Sequence, residues 1–574
     1  MSQTDFAQLG GHRGWTQWRR SVMGPAVLAI AVCAVGVPLW AILSYAGHPV
    51  AAAGGYTAPV SETLGTPAVD SALLAVSVAV LSLCIAFGPA WAMSATRLRR
   101  FPALHALILV PLMTPPYLTT IGWLLTMEPG GYLTQWLPWT QGLANAFVSF
   151  GGLAFLMSLH EFPVAYLALV IGLRGVPRAG LDAARVHGLG MPARIRHIWW
   201  PALAPVVATA GLLVFVNAVG EFGTPLVFGS LLRFPVLTTQ IYQAMNAYPV
   251  QFPLAARLAL LTLGMCLLVA GLLWLFRRRL QTPALLRAVD AGADRLPASG
   301  AGARSWAGAC VLLVVCGLAL GVPIASMLAT SVMKAFGNGF SLTNLTIAHY
   351  AHLFSSSSSA LGALLHSLEL SAISATIAAA VAVGLACLLR FWPSLWTRLT
   401  ALLVLLPNTI PHILFVVGLI VFWDAPWLPF SLYDSSWLLV LAFVILLLPY
   451  ALIQVTRTLN TLPASLWESG QAHGLPRFSV VVRLMAPLLA PSLLSGWVAV
   501  FALSLRDITV PLMASPPGYS TAPGYIYEQY VQTSLPQAMA MACLTVAVGM
   551  IAFLLIQALT GRVGHSDEHG KQIA

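Results

Sequence analysis

His160, Glu161, Glu221, Arg506 and Asp507 stand inside long apolar stretches of the sequence. A charge placed there is costly and marks a path or a buried partner. Their types suit moving an ion rather than breaking a bond. Carboxylate oxygens suit a hard cation, whereas Arg506 would attract an anion. His160-Glu161 lies beside Pro163 near the middle of its stretch, and Glu221 lies 20 residues beyond Pro201. Twenty helical residues rise about 30 Å, which sets Glu221 near an outer mouth, with Asp507 at the matching height. Two uses stay open for Glu161 and Glu221, lining a path or packing helices. For Arg506-Asp507 the alternative is a local ion pair or a headgroup contact. No catalytic residue and no metal site is expected. The sequence has no H-E-x-x-H motif and no paired intramembrane aspartates. The seven cysteines all lie in apolar stretches with no C-x-x-C pair, which gives neither a disulfide framework nor a cysteine metal site. The phosphate-cradling pattern G-x-x-x-x-G-K-[ST] is absent, since Gly570-Lys571 is followed by Gln572. The chain is therefore expected to bind no ATP of its own.

A second set of residues is written twice. Asp182-Ala183-Ala184-Arg185-Val186-His187-Gly188 recurs as Glu468-Ser469-Gly470-Gln471-Ala472-His473-Gly474, at an offset of 286 residues. The same offset relates Pro163 to Pro449, Pro177 to Pro463, Pro201 to Pro487, Glu221 to Asp507 and Pro225 to Pro511. Each copy reads as a short helix, a glycine break and a second helix running into an apolar stretch. Pro177 and Pro463 suit a first helical turn. Gly188 and Gly474 allow a left-handed turn. The small residues between would let another surface come close. His187 and His473 read as solvated loop residues rather than a metal pair.

The elements that hold these residues are membrane helices. Of the 574 residues, 59% are hydrophobic and 8% charged, against about a quarter charged in soluble domains. The fold class expected is all-α integral membrane, with about twelve transmembrane helices as two parallel six-helix repeats. A span needs roughly 20 apolar residues. Such stretches fall near 22–45, 69–93, 102–126, 149–172, 200–229 and 253–276, then 306–329, 362–389, 398–424, 435–458, 484–515 and 536–560. The first repeat is 1–276, a cytoplasmic linker 277–305 and the second repeat 306–574. Six spans per half give both halves the same orientation, related by an axis along the membrane normal. Arginines cluster in the N-terminus and in alternate loops, which places both termini and those loops in the cytoplasm. The charge, +11 in all, is too dispersed for a nucleic-acid surface. The polar start before a full-length first span reads as a retained helix rather than a cleaved signal. Ser355 to Ser359 reads as a flexible low-complexity stretch.

The repeated segment resembles the EAA loop of ABC importer permeases, E-A-A, three residues, G, nine residues, I, one residue, L-P. Copy one runs from Asp182-Ala183-Ala184 through Gly188 to Ile198 and Pro201, and copy two from Glu468 through Gly470 and Gly474 to Leu484 and Pro487. Spacing is met in both. Asp182, Ser469-Gly470, Trp200 and Ala486 depart from the pattern and put equal coupling of the halves in doubt. The resemblance implies that Asp182, Ala183, Ala184, Gly188, Pro201, Glu468, Gly470, Gly474 and Pro487 couple the chain to ATPase subunits. Those subunits, two copies, would bind the ATP; a periplasmic binding protein would deliver substrate, in a bacterial inner membrane. Glu221-Phe222-Gly223-Thr224-Pro225, Phe234 to Tyr242, the stretch around Phe340 to Tyr350, and Ile526-Tyr527 are similar to fused ferric-iron permeases. Permeases for 2-aminoethylphosphonate and thiamine share the layout, so iron is the implied substrate with these as alternatives. A secondary transporter of six-plus-six design would also have parallel halves and midplane charges. It would need no repeated glycine-anchored docking loop.

Overall fold

The computed structural model describes residues 24–49, 64–279 and 303–573, apart from 177, 233, 356, 357, 392, 464, 466–468, 471, 475–478 and 533. Among the described residues the fold is all helical; the single β feature is an isolated bridge between Met333 and Leu345. In the first half the helices that frame the candidate site are α1 (Gly24–Ala46), α2 (Thr66–Ala95), α3 (Pro102–Leu112), α4 (Pro116–Met127), α5 (Phe150–Arg174), α6 (Arg178–Val186), α7 (Met191–Gly220), α8 (Gly223–Leu232), α9 (Leu237–Met245) and α10 (Phe252–Arg279). The second half continues with α11 (Ser305–Ser331), α12 (Ser359–Phe391), α13 (Leu395–Thr409), α14 (His412–Trp423), α15 (Ser436–Thr461), α16 (Ala486–Arg506), α17 (Thr509–Ala514), α18 (Ala522–Val531) and α19 (Leu535–Ile573).

Among the described residues ten helices are long and apolar enough to cross a membrane, and two bent pairs bring the number to twelve if each pair is one span. The bent pairs are the third stretch of each half, expected as continuous helices. The segments 102–112 and 116–136 meet at 87°, and 395–409 and 412–423 at 110°. The cause is proline. Pro111, Pro115 and Pro116 interrupt the first, Pro407 and Pro411 the second. A residue before proline is pushed out of the helical region, and Ile410 is accordingly extended (φ −115°, ψ 138°). The fifth stretches also end earlier than expected. Helix α7 ends at Gly220 and α16 at Arg506, each followed by an extended acidic residue and a short helix.

Outward faces of the long helices carry apolar side chains, among them Val76 and Val80 of α2, Leu267 and Leu268 of α10 and Leu313 of α11. Apolar exposure on this scale suits hydrocarbon as the solvent.

Packing divides the chain into two compact units. One holds 1–47, 362–522 and 547–574; the other holds 48–361 and 523–546. The sequence repeats and the packing units are thus drawn differently, because the first helix of each half packs with the other half. Within the first unit, α1 lies along α14. A Cβ at Gly418 of α14 would stand 2.5 Å from the Pro38 carbonyl oxygen of α1. Within the second unit, α11 lies along α4 and α2. There a Cβ at Gly122 of α4 would stand 2.6 Å from the Pro323 carbonyl oxygen of α11. Ser326 Oγ donates to the Gly122 carbonyl at 2.6 Å, and Trp123 Nε1 donates to the Leu318 carbonyl at 3.2 Å. Close backbone approach at small residues is how helices associate where no hydrophobic effect pulls them together. Both crossing helices contain one π turn just before the contacting proline, Val32–Gly36 and Gly317–Gly321.

Candidate functional site

Helix α6 carries the first repeated motif. Leu181 and Ala184 are buried, while Asp182, Ala183, Arg185, Val186 and His187 face out. Its end is closed in the manner of a Schellman cap. The Leu189 N–H donates to the Ala184 carbonyl at 2.9 Å and the Gly188 N–H to the Arg185 carbonyl at 3.1 Å. That closure requires a left-handed residue, and Gly188 has φ +67°. A Cβ there would meet nothing within 4 Å, so backbone conformation and not crowding calls for glycine. Asp182 and Arg185 pair at 2.8 Å, both well exposed. An exposed pair of this kind contributes little to stability.

The second copy repeats the device where it is described. Gly474 has φ +74° with the same open surroundings. Gly470, the counterpart of Ala184, is likewise buried, and Ser469, the counterpart of Ala183, is exposed. One of each small pair therefore faces the protein, and the other is open to a second surface. Pro177 and Glu468 lie outside the described residues. Beyond each glycine the chain enters a π turn, Ile195–Trp199 and Val480–Met485, and then Pro201 or Pro487 in the first turn of the next straight helical segment. Both prolines are exposed. His187 and His473 are exposed, and His473 Nδ1 pairs with the Ser469 carbonyl at 2.8 Å. No group of three potential metal ligands occurs among the described residues.

The acidic residues behave alike at their helix breaks. Glu221 caps α8: its two carboxylate oxygens accept from the Thr224 N–H at 3.0 and 3.1 Å. Asp507 does the same for α17, accepting from the Val510 N–H at 2.9 Å. Val510 is the residue 286 positions after Thr224, so the cap belongs to the repeat. An acid at such a start satisfies an otherwise unpaired N–H and meets the positive end of the helix. The cue was present in both halves, an acid four residues before Pro225 or Pro511.

Around these caps the halves diverge. In the second unit Glu161 is buried on α5, and its carboxylate accepts from Asn217 Nδ2 of α7 at 3.0 Å. Glu161 and Glu221 are close enough to act on each other electrostatically. Thr238 Oγ1 holds the Glu221 backbone carbonyl at 3.0 Å, and Thr120 Oγ1 meets Thr224 Oγ1 at 3.2 Å. His160 borders a small cavity walled by Pro111, Trp123 and Ala319. The positions matching His160, Glu161 and Asn217 are all leucine, Leu446, Leu447 and Leu503. In the first unit Asp507 pairs instead with His412 Nδ1 at 3.2 Å, and Arg506 acts electrostatically on Tyr450. The sequence reading brought together neither Asn217 with Glu161 nor His412 with Asp507. Those partners come from other helices, and no spacing within one helix announces them.

Two stretches of the chain, 84–282 and 377–565, match the family described as binding-protein-dependent transport system inner membrane component. Each contains one repeated motif, and neither includes the crossing helices α1 and α11. The chain is 28% identical over 198 residues to the putative ferric transport system permease protein FbpB 1 of Haemophilus influenzae, which covers 33% of this chain and 31% of that protein. It is 27% identical over 407 residues to the probable ABC transporter permease protein y4fN of Sinorhizobium fredii, covering 67% of each. It is 21% identical over 243 residues to the putative 2-aminoethylphosphonate transport system permease protein PhnV of Salmonella typhimurium, covering 42% of this chain and 90% of that one. The chain thus spans about a third of its ferric relative.

Proposed function

From the premise that this chain belongs to the family of binding-protein-dependent transport system inner membrane components, we propose that ATPase subunits drive it from outside by docking on Asp182–Gly188 and on the second motif ending at Gly474. The observation that carries the reading is the pair of glycine-closed motifs, φ +67° at Gly188 and +74° at Gly474, one in each matched stretch. Two copies of one docking element suit two copies of one ATPase. Exposed Asp182, Ala183, Val186 and Ser469 offer the contact surface, and Ala184 and Gly470 seat the motif on the bundle. In this reading the motif loops and both termini face the cytoplasm of a bacterial inner membrane, and a periplasmic binding protein delivers substrate to the opposite loops.

Ferric iron is the substrate we propose. In the first half, Glu161, Glu221 and Asn217 supply oxygen atoms, which suits a hard cation. Arg506 is the feature that favours a phosphonate, and in that alternative it meets the anionic group. Gentle affinity purification from membranes, with mass spectrometry of what accompanies the chain, tests the class. An ATPase at two copies per chain is expected, and the ligand of a co-purifying binding protein names the substrate. A chain that purifies alone and transports on an ion gradient would be a secondary carrier instead.

A further inference from the structure

Each fifth span runs unbroken from its repeated motif to its acid. The segments Trp200–Gly220 and Ala486–Arg506 are both 21 residues long, about 31 Å at the helical rise. A motif and a π turn precede each one. At the acid the backbone leaves the helix, with ψ 132° at Glu221 and 126° at Asp507. Beyond that point the carboxylate caps carry the connection, tying α8 to the end of α7 and α17 to the end of α16.

Both short helices lie against the bent third span of their own unit, α8 on α4 and α17 on α14. One polar contact sits at each junction. In one unit the buried Thr120 Oγ1 of α4 meets the buried Thr224 Oγ1 of α8 at 3.2 Å. In the other, His412 Nδ1, on the first residue of α14, donates to Asp507 Oδ2 at 3.2 Å, while Asp507 Oδ1 caps α17. The sequence matches Thr120 with Val416, at the offset of 296 that relates Pro115 to Pro411 and Gly122 to Gly418, and Thr224 with Val510. Those two valines are fully buried and their side chains form no hydrogen bond. The contact has moved one helical turn, to His412 four residues before Val416 and Asp507 three before Val510. Different side chains thus join the same two elements in both halves, so it is the junction that recurs. The arms it holds begin at the bends, where Pro115 and Pro411 are extended (ψ 129° and 134°), and a few such residues suffice as a hinge.

We propose that Thr120–Thr224 and His412–Asp507 are the joints at which movement of the fifth span, driven at the repeated motif, is passed to the bent third span. The proposal rests on the importer reading above and adds the residues that carry the stroke past the helix break. A push at Gly188 or Gly474 travels along α7 or α16 as along a rod. The cap makes the short helix move with the rod, and the joint swings α4 or α14 about its bend. Those arms in turn carry Gly122 and Gly418, the seats of the crossing helices α11 and α1. His412 and Thr120 are positioning residues in this scheme and need no contact with the cargo.

The test uses the complete complex, the chain with its co-purifying ATPase, in lipid nanodiscs. ATP hydrolysis is measured with and without the co-purifying binding protein. Linkage between sites is reciprocal, so a joint that passes the stroke outward also passes the arrival of the binding protein inward, and such coupling is typically worth about 5- to 150-fold. His412→Ala and Thr120→Val are each expected to cut the stimulation of hydrolysis by the binding protein at least about fivefold. Basal hydrolysis and recovery of the complex should not change. His412→Asn keeps a donor for Asp507 and Thr120→Ser keeps the hydroxyl, so both should retain the stimulation. Full stimulation in His412→Ala and Thr120→Val overturns the proposal. A loss accompanied by an equal fall in basal hydrolysis and complex recovery, the mark of a merely structural contact, overturns it too. In either case a wild-type complex that holds its ATPase and responds to the binding protein leaves the importer reading standing. A wild-type chain without any ATPase overturns both.

Discussion

Glu221 and Asp507 hold helix starts in both halves, and that role has to be separated from any role in moving an ion. Loss of a capping side chain costs about 1 kcal/mol, and a carboxylate cap adds its interaction with the helix dipole. Glutamine keeps an oxygen that can accept from the Thr224 N–H but has no charge. Glu221→Gln is therefore expected to keep most of the thermal stability of the purified protein, and Glu221→Ala to lower it. Uptake by Glu221→Gln then reads the charge alone. Loss in both, with stability retained in Glu221→Gln, assigns the carboxylate to the path; full uptake by Glu221→Gln leaves it a cap. The sequence made these residues visible as charges in apolar stretches but not as caps. Their pairs, Asn217 for Glu161 and His412 for Asp507, depend on helices that meet only in the fold.

At the scale of elements, the spans were legible wherever an apolar run was unbroken, and outside the third and fifth spans of each half their bounds agree with the crossing segments to within a few residues. The third span of each half was not. Its composition is apolar throughout, and only the proline spacing (Pro111 to Pro115, Pro407 to Pro411) records the bend. The two motif glycines were legible because a left-handed closure has few alternatives. At φ +67° and +74° with open space around the Cβ position, alanine meets only the backbone penalty, about 1–2 kcal/mol. Gly188→Ala and Gly474→Ala should then assemble with the ATPase and show reduced uptake. Gly188→Asn should fare better than Gly188→Ala, since asparagine tolerates the left-handed region. A β-branched Gly188→Val should be worse than either. Equal uptake by all three would show that the closure is not what the partner reads.

For the whole molecule, the repeat was legible in register of prolines and acids, yet it concealed how the halves pack. Each unit contains the first helix of the other half, seated on a glycine. In the second unit the Pro323 carbonyl and the Ser326 hydroxyl meet the backbone at Gly122. Overpacking a tight contact typically costs about 1–3 kcal/mol. Gly122→Leu and Gly418→Leu should each lower the thermal midpoint of the solubilised chain, whereas Gly264→Leu, where a Cβ meets nothing within 4 Å, should not.

The same exchange of helices fixes what a divided chain can do. Cut at residue 290, the first fragment would carry α1 without the α14 surface that covers it, and would leave α2 and α4 without α11. The second fragment would be short of α1 in turn. Each unit is completed only by residues from both halves, so either fragment expressed alone should be degraded or recovered in low yield. The two expressed together should co-purify and regain uptake, because α1 can then reach α14, and α11 can reach α4 and α2. A first fragment that accumulates alone, stable and protease-resistant, would mean that α1 and α11 are peripheral to their units. In that case Gly122→Leu and Gly418→Leu should also be harmless, so the two experiments check one another.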